Sequence, residues 1–313
     1  MESIDFLGLA YTLASGLAVL GVLFVGRTLW SKMALFDAEH QLTGADNPAV
    51  GTALFGYLGA LTIVLMALLT TQGAAPGDTT GMVWDIGELV LYGLLAIFLI
   101  KLSGFINDRA ILKGFENAKE LVQDRNVGVG AVLCGSYLAS GLILAGAFSG
   151  RIDPGLLAED ASRLSTIGYE IAISLACYAF CQVALTFYGV VYQAVQRTSI
   201  HAAIAEDYEV DGVKHGGNVA AGIAFGGNLA ALGLVMWGGA AGDFLGWLDL
   251  AVRLGVATAL GIILLPLWRR FVDRMMMGKA DLNKEIYTDR NVNAALLEAV
   301  SMLAMGAVIA ALV

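Results

Sequence analysis

Of the charged residues that interrupt the long apolar runs of this sequence, four are its best candidates for chemistry: Glu88, Glu170, Arg253 and Glu298. In a run long enough to cross a bilayer, a charged side chain costs on the order of 3 kcal/mol unless it is paired or hydrated. Carboxylates at several depths could pass a proton or a cation along. We therefore predict that these four residues form an intramembrane charge pathway. The alternative is a structural ion pair or a buried, hydrogen-bonded acid, or, for Glu170, a solvated acid at the interface.

Glu88 and Arg253 lie 165 residues apart, which is also the spacing of an internal repeat in the chain. If the helices that carry them face a common axis, the acid and the base meet across it. Such a pair would either fix how two halves of the protein dock or serve as a gating or proton-coupled pair. Glu298 has an apolar counterpart at this spacing, Leu133, so no symmetric role is expected for it.

The remaining reactive side chains form no recognisable catalytic or metal-binding pattern. Cys177 and Cys181 share a helix face without a neighbouring histidine, while His201 and His215 flank an acidic segment that favours a solvated loop. The HExxH, CxxC, P-loop, GxSxG and GxGxxG patterns do not occur. We therefore expect no enzymatic activity, no cofactor and no metal site.

The composition excludes an ordinary soluble domain. Hydrophobic residues make up 58% of the chain and charged residues 14%, and the mean hydropathy is +0.74. Soluble domains carry about 25% charged residues. The 39 glycines and 4 prolines suit closely packed membrane helices. We expect the lipid bilayer as the main partner and no nucleic acid.

Eight apolar runs have the length of about 20 residues that a membrane-spanning helix requires. They cover residues 6–29, 47–71, 83–104, 127–149, 165–195, 218–241, 245–268 and 292–313. The first run follows an acidic N-terminal segment, so we interpret it as a retained helix and not a signal peptide. The predicted fold is an all-α polytopic integral membrane protein with eight transmembrane helices.

The distribution of basic residues predicts the orientation. Of the 18 Lys and Arg residues, all except Arg151, Arg163 and Arg253 lie in or beside the long polar segments that follow the odd-numbered spans. By the positive-inside rule these segments face the cytoplasm and both termini face outward. Acids outnumber bases on the predicted outer side. This acidic rim would either attract cations or simply reflect the exclusion of bases from that side.

An internal repeat organises the chain. The segment 119–126, KELVQDRN, returns 165 residues later as KEIYTDRN at 284–291. Because each copy contains an even number of spans, both copies share one orientation. We predict two pseudo-symmetric parallel four-helix halves, residues 1–150 and 160–313, with a pseudo-twofold axis that permits a pore between them.

Each even-numbered span begins with an asparagine, namely Asn47, Asn126, Asn218 and Asn291. Asparagine is among the best residues for capping a helix N-terminus, so capping is one interpretation of this helix-start motif. The functional alternative is a ring of four asparagines, assisted by Asp124 and Asp289, that lines a cytoplasmic mouth.

The helix-start motif, the stripe of small residues behind it and the four-span unit resemble the bacterial inner-membrane family called domain of unknown function 350, present here in two copies. The last copy departs from the pattern at Asn293, Ala295 and Val300, which weakens the expectation of close helix packing there. The resemblance implies a bacterial inner (plasma) membrane location and leaves the biochemistry open.

The leading functional hypothesis is a pathway for a small ion or small solute, such as a proton or cation, between the two halves. The alternative is a non-catalytic membrane-integrity or stress-response scaffold that recruits a cytoplasmic peripheral partner. Amphipathic helices over residues 108–126 and 273–291 would present its basic face, Lys113, Lys119, Lys279 and Lys284. A homo-oligomer is compatible with both hypotheses.

Overall fold

The structure is a computed structural model that describes residues 5–71, 73–75, 77–112, 116–196, 198–206, 208–210, 213–276, 278 and 280–313. The α-helices are α1 (Phe6–Lys32), α2 (Pro48–Thr71), α3 (Thr79–Ile106), α4 (Asn117–Val122), α5 (Val127–Ala147), α6 (Arg163–Gln196), α7 (Ile200–Ala205), α8 (Val219–Ala240), α9 (Trp247–Met276) and α10 (Val292–Ala310). The strands β1 (Tyr208–Val210) and β2 (Val213–His215) form a short antiparallel hairpin. Single π-helical turns cover His40–Gly44, Asn107–Ile111 and Lys284–Thr288, and a 3₁₀ turn covers Pro154–Leu156.

Eight of these helices are long and apolar enough to cross a membrane, at the positions that the sequence predicts. The predicted all-α membrane fold is therefore confirmed, with the β-hairpin as a small addition outside the spans. The helices α2, α5, α8 and α10 are the ones that begin with the four asparagines. We call the end of the bundle where they begin the asparagine end.

The four asparagine-started helices lie side by side in an open row, with α2 packed on α5, α5 on α8 and α8 on α10. They run parallel, because close contacts advance together along both partners. Gly128 lies against Gly222 near the asparagine end, and Gly146 lies against Trp237 near the other end. The prediction of two parallel halves in tandem is confirmed.

The seam between the two halves is closed by direct backbone contact between α5 and α8. A Cβ atom added to Gly135 would lie 2.0 Å from the carbonyl oxygen of Gly226. Small residues allow helices in lipid to approach this closely, and dispersion contacts then replace the hydrophobic effect as the source of stability. Between residues 127–147 and 219–240 there is consequently no room for a pore.

The two halves are related head to tail. A closed twofold arrangement would require α10 to pack on α2 as α5 packs on α8. Within the described residues, α2 and α10 share no extended contact. The predicted pseudo-twofold axis with room for a pore is therefore not formed. Each inner helix of the row packs on one neighbour with one face and on the other neighbour with the opposite face, so the row stays open.

The departure of the last copy from the repeat pattern falls on the free end of this row. Leu296 and Val300 of α10 are 51% and 60% exposed, at positions where α5 has Ala131 and Gly135 packed against α8. Towards α8 the packing of α10 remains close, and a Cβ atom on Gly306 would lie 2.6 Å from a carbonyl oxygen of α8. The expectation of looser packing is wrong on that side, because the bulky residues point away from α8.

The odd-numbered spans form a second layer, and α6 occupies its centre. It packs on α5 and α8 and also contacts α3 and α9, whereas α1 contacts only α2 and α3 extensively. In the most apolar 18-residue stretch of each helix, 11% of the residues are buried in α1, compared with 50% in α6. The position of α6 between the two halves gives it a buried face along its whole length.

The predicted amphipathic helices over 108–126 and 273–291 are wrong as continuous helices. After α3 and its π-helical turn, the chain folds back, and the Asp108 carboxylate accepts a hydrogen bond from the Asn117 side chain. Asp273 likewise accepts from the backbone N–H of Leu282 at 2.8 Å. Each acid thus accepts a hydrogen bond from a residue nine positions later in the chain. These bonds hold the chain in its reversed direction, so the preceding helix does not continue. Lys113, Phe115, Met277 and Lys279 lie outside the described residues.

Candidate functional site

The helix α6 carries a stripe of polar residues along its buried face. The stripe consists of Glu170, Ser174, Tyr178, Gln182, Tyr188, Tyr192 and Gln196. Their spacing of four residues, with one interval of six, keeps them near one side of a helix of 3.6 residues per turn. From first to last they extend about 39 Å along the axis, which is close to the full thickness of a bilayer. All are buried except Glu170, which is partly buried.

The centre of the site is a buried ion pair between α9 and α10. The Arg269 Nε lies 2.8 Å from Glu298 Oε1, and their side chains are 6% and 0% exposed. A second guanidinium nitrogen of Arg269 donates to Asn283 Oδ1 at 2.8 Å, on the side of the asparagine end. A buried ion pair repays its desolvation only when further hydrogen bonds satisfy both partners. The neighbours of Glu298 supply these bonds.

One oxygen of Glu298 is saturated and the other is free. Besides Arg269, Glu298 Oε1 accepts hydrogen bonds from the Tyr192 hydroxyl at 3.0 Å and from Asn228 Nδ2 at 2.9 Å. Asn228 Oδ1 in turn accepts from the Tyr188 hydroxyl at 3.0 Å. Glu298 Oε2 is buried without a hydrogen-bond partner among the described residues. This oxygen is an acceptor open to a proton or a water molecule.

At the asparagine end of this cluster, the Tyr287 hydroxyl lies 3.2 Å from that of Tyr192. Burial raises the pKa of Tyr287 well above its ordinary value, and the charge of Glu298 adds to the effect. Tyr287 therefore keeps its proton at neutral pH and remains able to donate a hydrogen bond. The cluster around Glu298 consequently reaches from the loop before α10 into the membrane-spanning part of α6.

A second cluster lies farther along α6, where α3 and α5 meet it. Ser103 Oγ donates to Ser140 Oγ at 2.8 Å and lies 3.1 Å from the Tyr178 hydroxyl. Gln182 Nε2 donates to Ser140 Oγ at 2.9 Å. Gln182 Oε1 and the Ser136 hydroxyl are buried here without a partner in the described part of the chain. These atoms leave unused hydrogen-bonding capacity in the middle of the bundle.

A third cluster lies at the end of α6 opposite the asparagines. Glu170 accepts a short hydrogen bond from the Tyr92 hydroxyl. Nearby, Arg163 Nε lies 2.7 Å from Glu88 Oε1, and its guanidinium group is 3.7 Å from an oxygen of Asp85. Arg163 is thus shared by two carboxylates, Asp85 and Glu88, close to the end of the stripe.

The predicted meeting of Glu88 and Arg253 is wrong, because each has another partner. Glu88 binds Arg163. Arg253 binds Asp249, with Nε 2.9 Å from Oδ2, and donates 2.6 Å to the carbonyl of Ala241 just beyond α8. The last carbonyl groups of a helix lack intrahelical partners and attract a cation, which explains this position of Arg253.

The structure does bring two of the predicted pathway residues to one place. Glu170 and Arg253 line the same small cavity of about 20 Å³ near the ends of α5 and α8. This volume accommodates about one water molecule. Of the four predicted residues, Glu170 belongs to the stripe, Glu298 binds it directly, and Glu88 and Arg253 lie beside its far end.

All four asparagines cap their helices. Each side-chain oxygen accepts a hydrogen bond from a backbone N–H in the first turn, at 3.0 Å for Asn47, 3.2 Å for Asn126, 3.0 Å for Asn218 and 3.0 Å for Asn291. The first three are buried and the fourth is half-buried. The geometry is that of the N-cap interpretation.

The amide nitrogens of three of these asparagines link successive hairpins. Asn47 donates to the carbonyl of Leu121, Asn126 to that of Ile204 and Asn218 to that of Ile286, at 2.8, 2.8 and 2.9 Å. The predicted ring around a mouth is not formed, because the helices stand in a row and the amides are engaged.

Asp124 and Asp289, predicted to assist that ring, instead pair with lysines five residues earlier. Asp124 lies 3.9 Å from Lys119, and Asp289 binds Lys284. The hydrogen bond that Lys284 donates to the Asp289 carboxylate raises the pKa of Lys284. Both pairs remain within their own loops, so neither acid reaches the row of asparagines.

Sequence reasoning missed most of the partners around Glu298. Arg269 looks like an ordinary basic residue at the end of a span, while Asn228, Tyr188 and Tyr192 carry no charge. The four-residue spacing along α6 was a readable signal. A second readable signal is a glutamine or glutamate six residues before three of the asparagines. Its side-chain oxygen accepts a hydrogen bond from the asparagine amide, as in Gln41, Glu120 and Glu285. The residue before each asparagine has a positive φ: Asp46, Arg125, Gly217 and Arg290.

Eight bilayer-length helices in two tandem units, with buried polar clusters between them, define a polytopic integral membrane protein. The chain belongs to the family described as Domain of Unknown Function (DUF350), whose model matches residues 3–148 and 166–313. The predicted tandem resemblance is thereby confirmed. Comparisons with curated proteins and with solved structures find no match.

Proposed function

We propose that this protein provides a regulated transmembrane pathway for protons along the polar face of α6, and that it acts without catalysing a reaction. The observation that carries the proposal is the buried stripe from Glu170 to Gln196 with the free carboxylate oxygen of Glu298 beside it. The proposal places the protein in the bacterial plasma membrane with the asparagine end in the cytoplasm. The excess of Lys and Arg in the loops at that end supports this orientation.

The chemistry of the stripe favours protons over larger solutes. Its members are hydroxyls, amides and carboxylates, which exchange protons through hydrogen bonds. The space beside them is small, since the cavity between Glu170 and Arg253 holds only about one water molecule. Buried ionisable residues in membrane helices are characteristic of proton relays in pumps and transporters.

Water must bridge the intervals that no side-chain link spans, above all Glu170 to Tyr178, where the Ser174 hydroxyl donates to a backbone carbonyl, and Gln182 to Tyr188. From helix rise, Glu170 and Tyr178 are separated by about 12 Å, and Gln182 and Tyr188 by about 9 Å. Each interval exceeds the length of one hydrogen bond. Gln182 Oε1 and Glu298 Oε2 are among the buried acceptors available to such waters.

The ion pair between Arg269 and Glu298 supplies the gate in this proposal. Arg269 Nε lies 2.8 Å from Glu298 Oε1, so an incoming proton must compete with the guanidinium group for this carboxylate. A proton that reaches Glu298 weakens the pair and leaves Arg269 uncompensated, so proton occupancy is brief and conduction is slow. The site would therefore support regulated or coupled transfer in preference to an open pore.

The scaffold hypothesis has less support from the geometry. Of its four lysines, Lys119 and Lys284 already pair with Asp124 and Asp289. Lys113 and Lys279 lie outside the described residues. Within the described part of the chain, no continuous amphipathic helix presents Lys119 and Lys284 together.

The test is proton flux into liposomes that contain the purified protein and an internal pH-sensitive dye, driven by a potassium diffusion potential. We expect Glu298→Gln to reduce flux at least about tenfold, since the carboxylate is lost while the side-chain shape is kept. The matched control is Glu39→Gln, because Glu39 is an exposed acid that pairs with Arg27 at the same end. Wild-type liposomes that stay proton-tight, or equal flux in a folded Glu298→Gln variant, would refute the proposal.

A further inference from the structure

A large cleft lies in the first half of the protein at the asparagine end, between the end of α1, the last turns of α3, and α4 and α5. Its volume is about 900 Å³. Binding sites for small molecules have volumes of about 300–1,000 Å³. Aromatic side chains form much of its wall: Trp30, Phe98, Phe105 and Tyr137. The cleft is distinct from the α6 stripe, which runs between the two halves.

The second half fills the equivalent place with the ion pair. At the repeat spacing of 165 residues, Gly104 corresponds to Arg269 and Leu133 to Glu298. Gly104 and Leu133 both line the cleft. The two halves thus use the same position differently, with a guanidinium–carboxylate pair in one and an open cleft in the other.

Two cations line the cleft without a salt bridge in the described residues. Lys101 Nζ lies 5.4 Å from the centre of the Trp30 ring, and the guanidinium carbon of Arg109 lies 3.6 Å from the centre of the Phe105 ring. Stacking on aromatic rings holds both cations in place while leaving their N–H groups available to an anion.

Two carboxylates line the same cleft. Asp108 and Glu116 are exposed members of the cleft wall, and Asp108 is oriented by a hydrogen bond from Asn117. Among the described residues the charged lining therefore sums to zero, with two cations and two anions. A group that carries both a negative and a positive charge complements such a lining better than a simple anion does.

The cleft opens on an apolar surface of the spanning helices. Leu35, Phe98 and Phe105 are 88%, 62% and 53% exposed at its margin. In a membrane such side chains face the acyl chains of lipids. The occupant must accordingly combine an apolar body with a zwitterionic polar end at the level of the bilayer surface.

We propose that this cleft binds a glycerophospholipid with an ammonium-bearing headgroup. The phosphate contacts Lys101 and Arg109, the ammonium group contacts Glu116 and Asp108, and an acyl chain runs along Phe98. Arginine and lysine are the side chains that bind phosphate best, and carboxylates complement the ammonium group. The lipid site belongs to the first half and does not depend on proton transfer along α6.

The test is native mass spectrometry of the detergent-purified protein after exchange with phosphatidylethanolamine, phosphatidylglycerol or inorganic phosphate. We expect retention of phosphatidylethanolamine by the wild type and a loss in affinity of at least about tenfold in the double variant Lys101→Gln/Arg109→Gln. The matched control is Lys119→Gln/Arg270→Gln, which removes one lysine and one arginine outside the cleft. Thermal unfolding verifies that each variant is folded.

A milder variant keeps the proposal testable if the double variant does not fold. Glu116→Gln alters an exposed side chain and is expected to reduce the preference for phosphatidylethanolamine over phosphatidylglycerol at least about threefold. Unchanged preference in Glu116→Gln, or equal lipid retention in the folded double variant, overturns the proposal. Displacement of the lipid by inorganic phosphate also overturns it, because the site would then recognise phosphate alone. Proton flux through Glu298 is measured separately, so the two proposals fail independently.

Discussion

Removing either partner of the buried ion pair should destabilise the protein by different amounts. Replacing Glu298 by leucine leaves the Arg269 guanidinium group, which is 5% exposed as a residue, with Asn283 as its remaining hydrogen-bond partner. A guanidinium group cannot shed its proton, so the uncompensated charge stays buried. We expect a loss of about 3–5 kcal/mol in the free energy of unfolding.

The reverse change should cost less. In Arg269→Leu, Glu298 retains the hydrogen bonds from Tyr192 and Asn228 and can take up a proton to become neutral. We expect a loss of about 2–3 kcal/mol. In the double variant Arg269→Leu/Glu298→Leu no charge is left buried, so it should be more stable than Glu298→Leu alone.

The assay is reversible unfolding of the purified protein in mixed micelles, analysed as a double-mutant cycle. A coupling free energy of at least about 2 kcal/mol between the two positions is expected from a pair of this burial. Additive losses, or a larger loss in Arg269→Leu than in Glu298→Leu, would contradict the reasoning. Either result would mean that water reaches Arg269 and hydrates its guanidinium charge.

Three further predictions follow from the row of helices and its loops. Asn126→Ala removes a buried helix cap and a link to the next hairpin, and should lower the free energy of unfolding by about 1–2 kcal/mol. An unchanged free energy of unfolding would contradict this prediction. Gly135→Ala should cost about 2–3 kcal/mol in the same assay because its Cβ meets the facing backbone, while the control Gly51→Ala, with open space around it, should be nearly neutral. Asp289→Asn should lower the pKa of Lys284 in an NMR titration, since the Asp289 carboxylate raises this pKa in the wild type. The wild-type pair stabilises the fold at neutral pH, and this stabilisation is lost as the pH rises through the pKa of Lys284 in the folded protein.

Several features of this protein follow from its sequence because they depend on short stretches of chain. Eight apolar runs predict eight spans, since each helix must satisfy its own backbone hydrogen bonds in lipid. The repeated segment at 119–126 and 284–291 predicts two tandem copies with one orientation. The four asparagines predict helix starts, because capping involves only neighbouring residues.

The arrangement of the halves depends on which helix faces meet, and sequence spacing does not determine this. A repeat of 165 residues is compatible with a twofold pair and with a row. The pairing of Glu88 with Arg253 assumed the first arrangement, whereas close glycine contacts between α5 and α8 produce the second. The bulky Leu296 and Val300 end the row at α10.

The candidate site shows the same division. The sequence by itself identified Glu298 and Glu170 as acids within apolar runs, because a charge in an apolar run is visible without any neighbour. Only the tertiary structure decided that Arg269 neutralises Glu298 and that α6 gathers the polar side chains. Hydropathy and capping are properties of neighbouring residues, whereas the partner of a buried charge is chosen by the packing of helices distant in sequence.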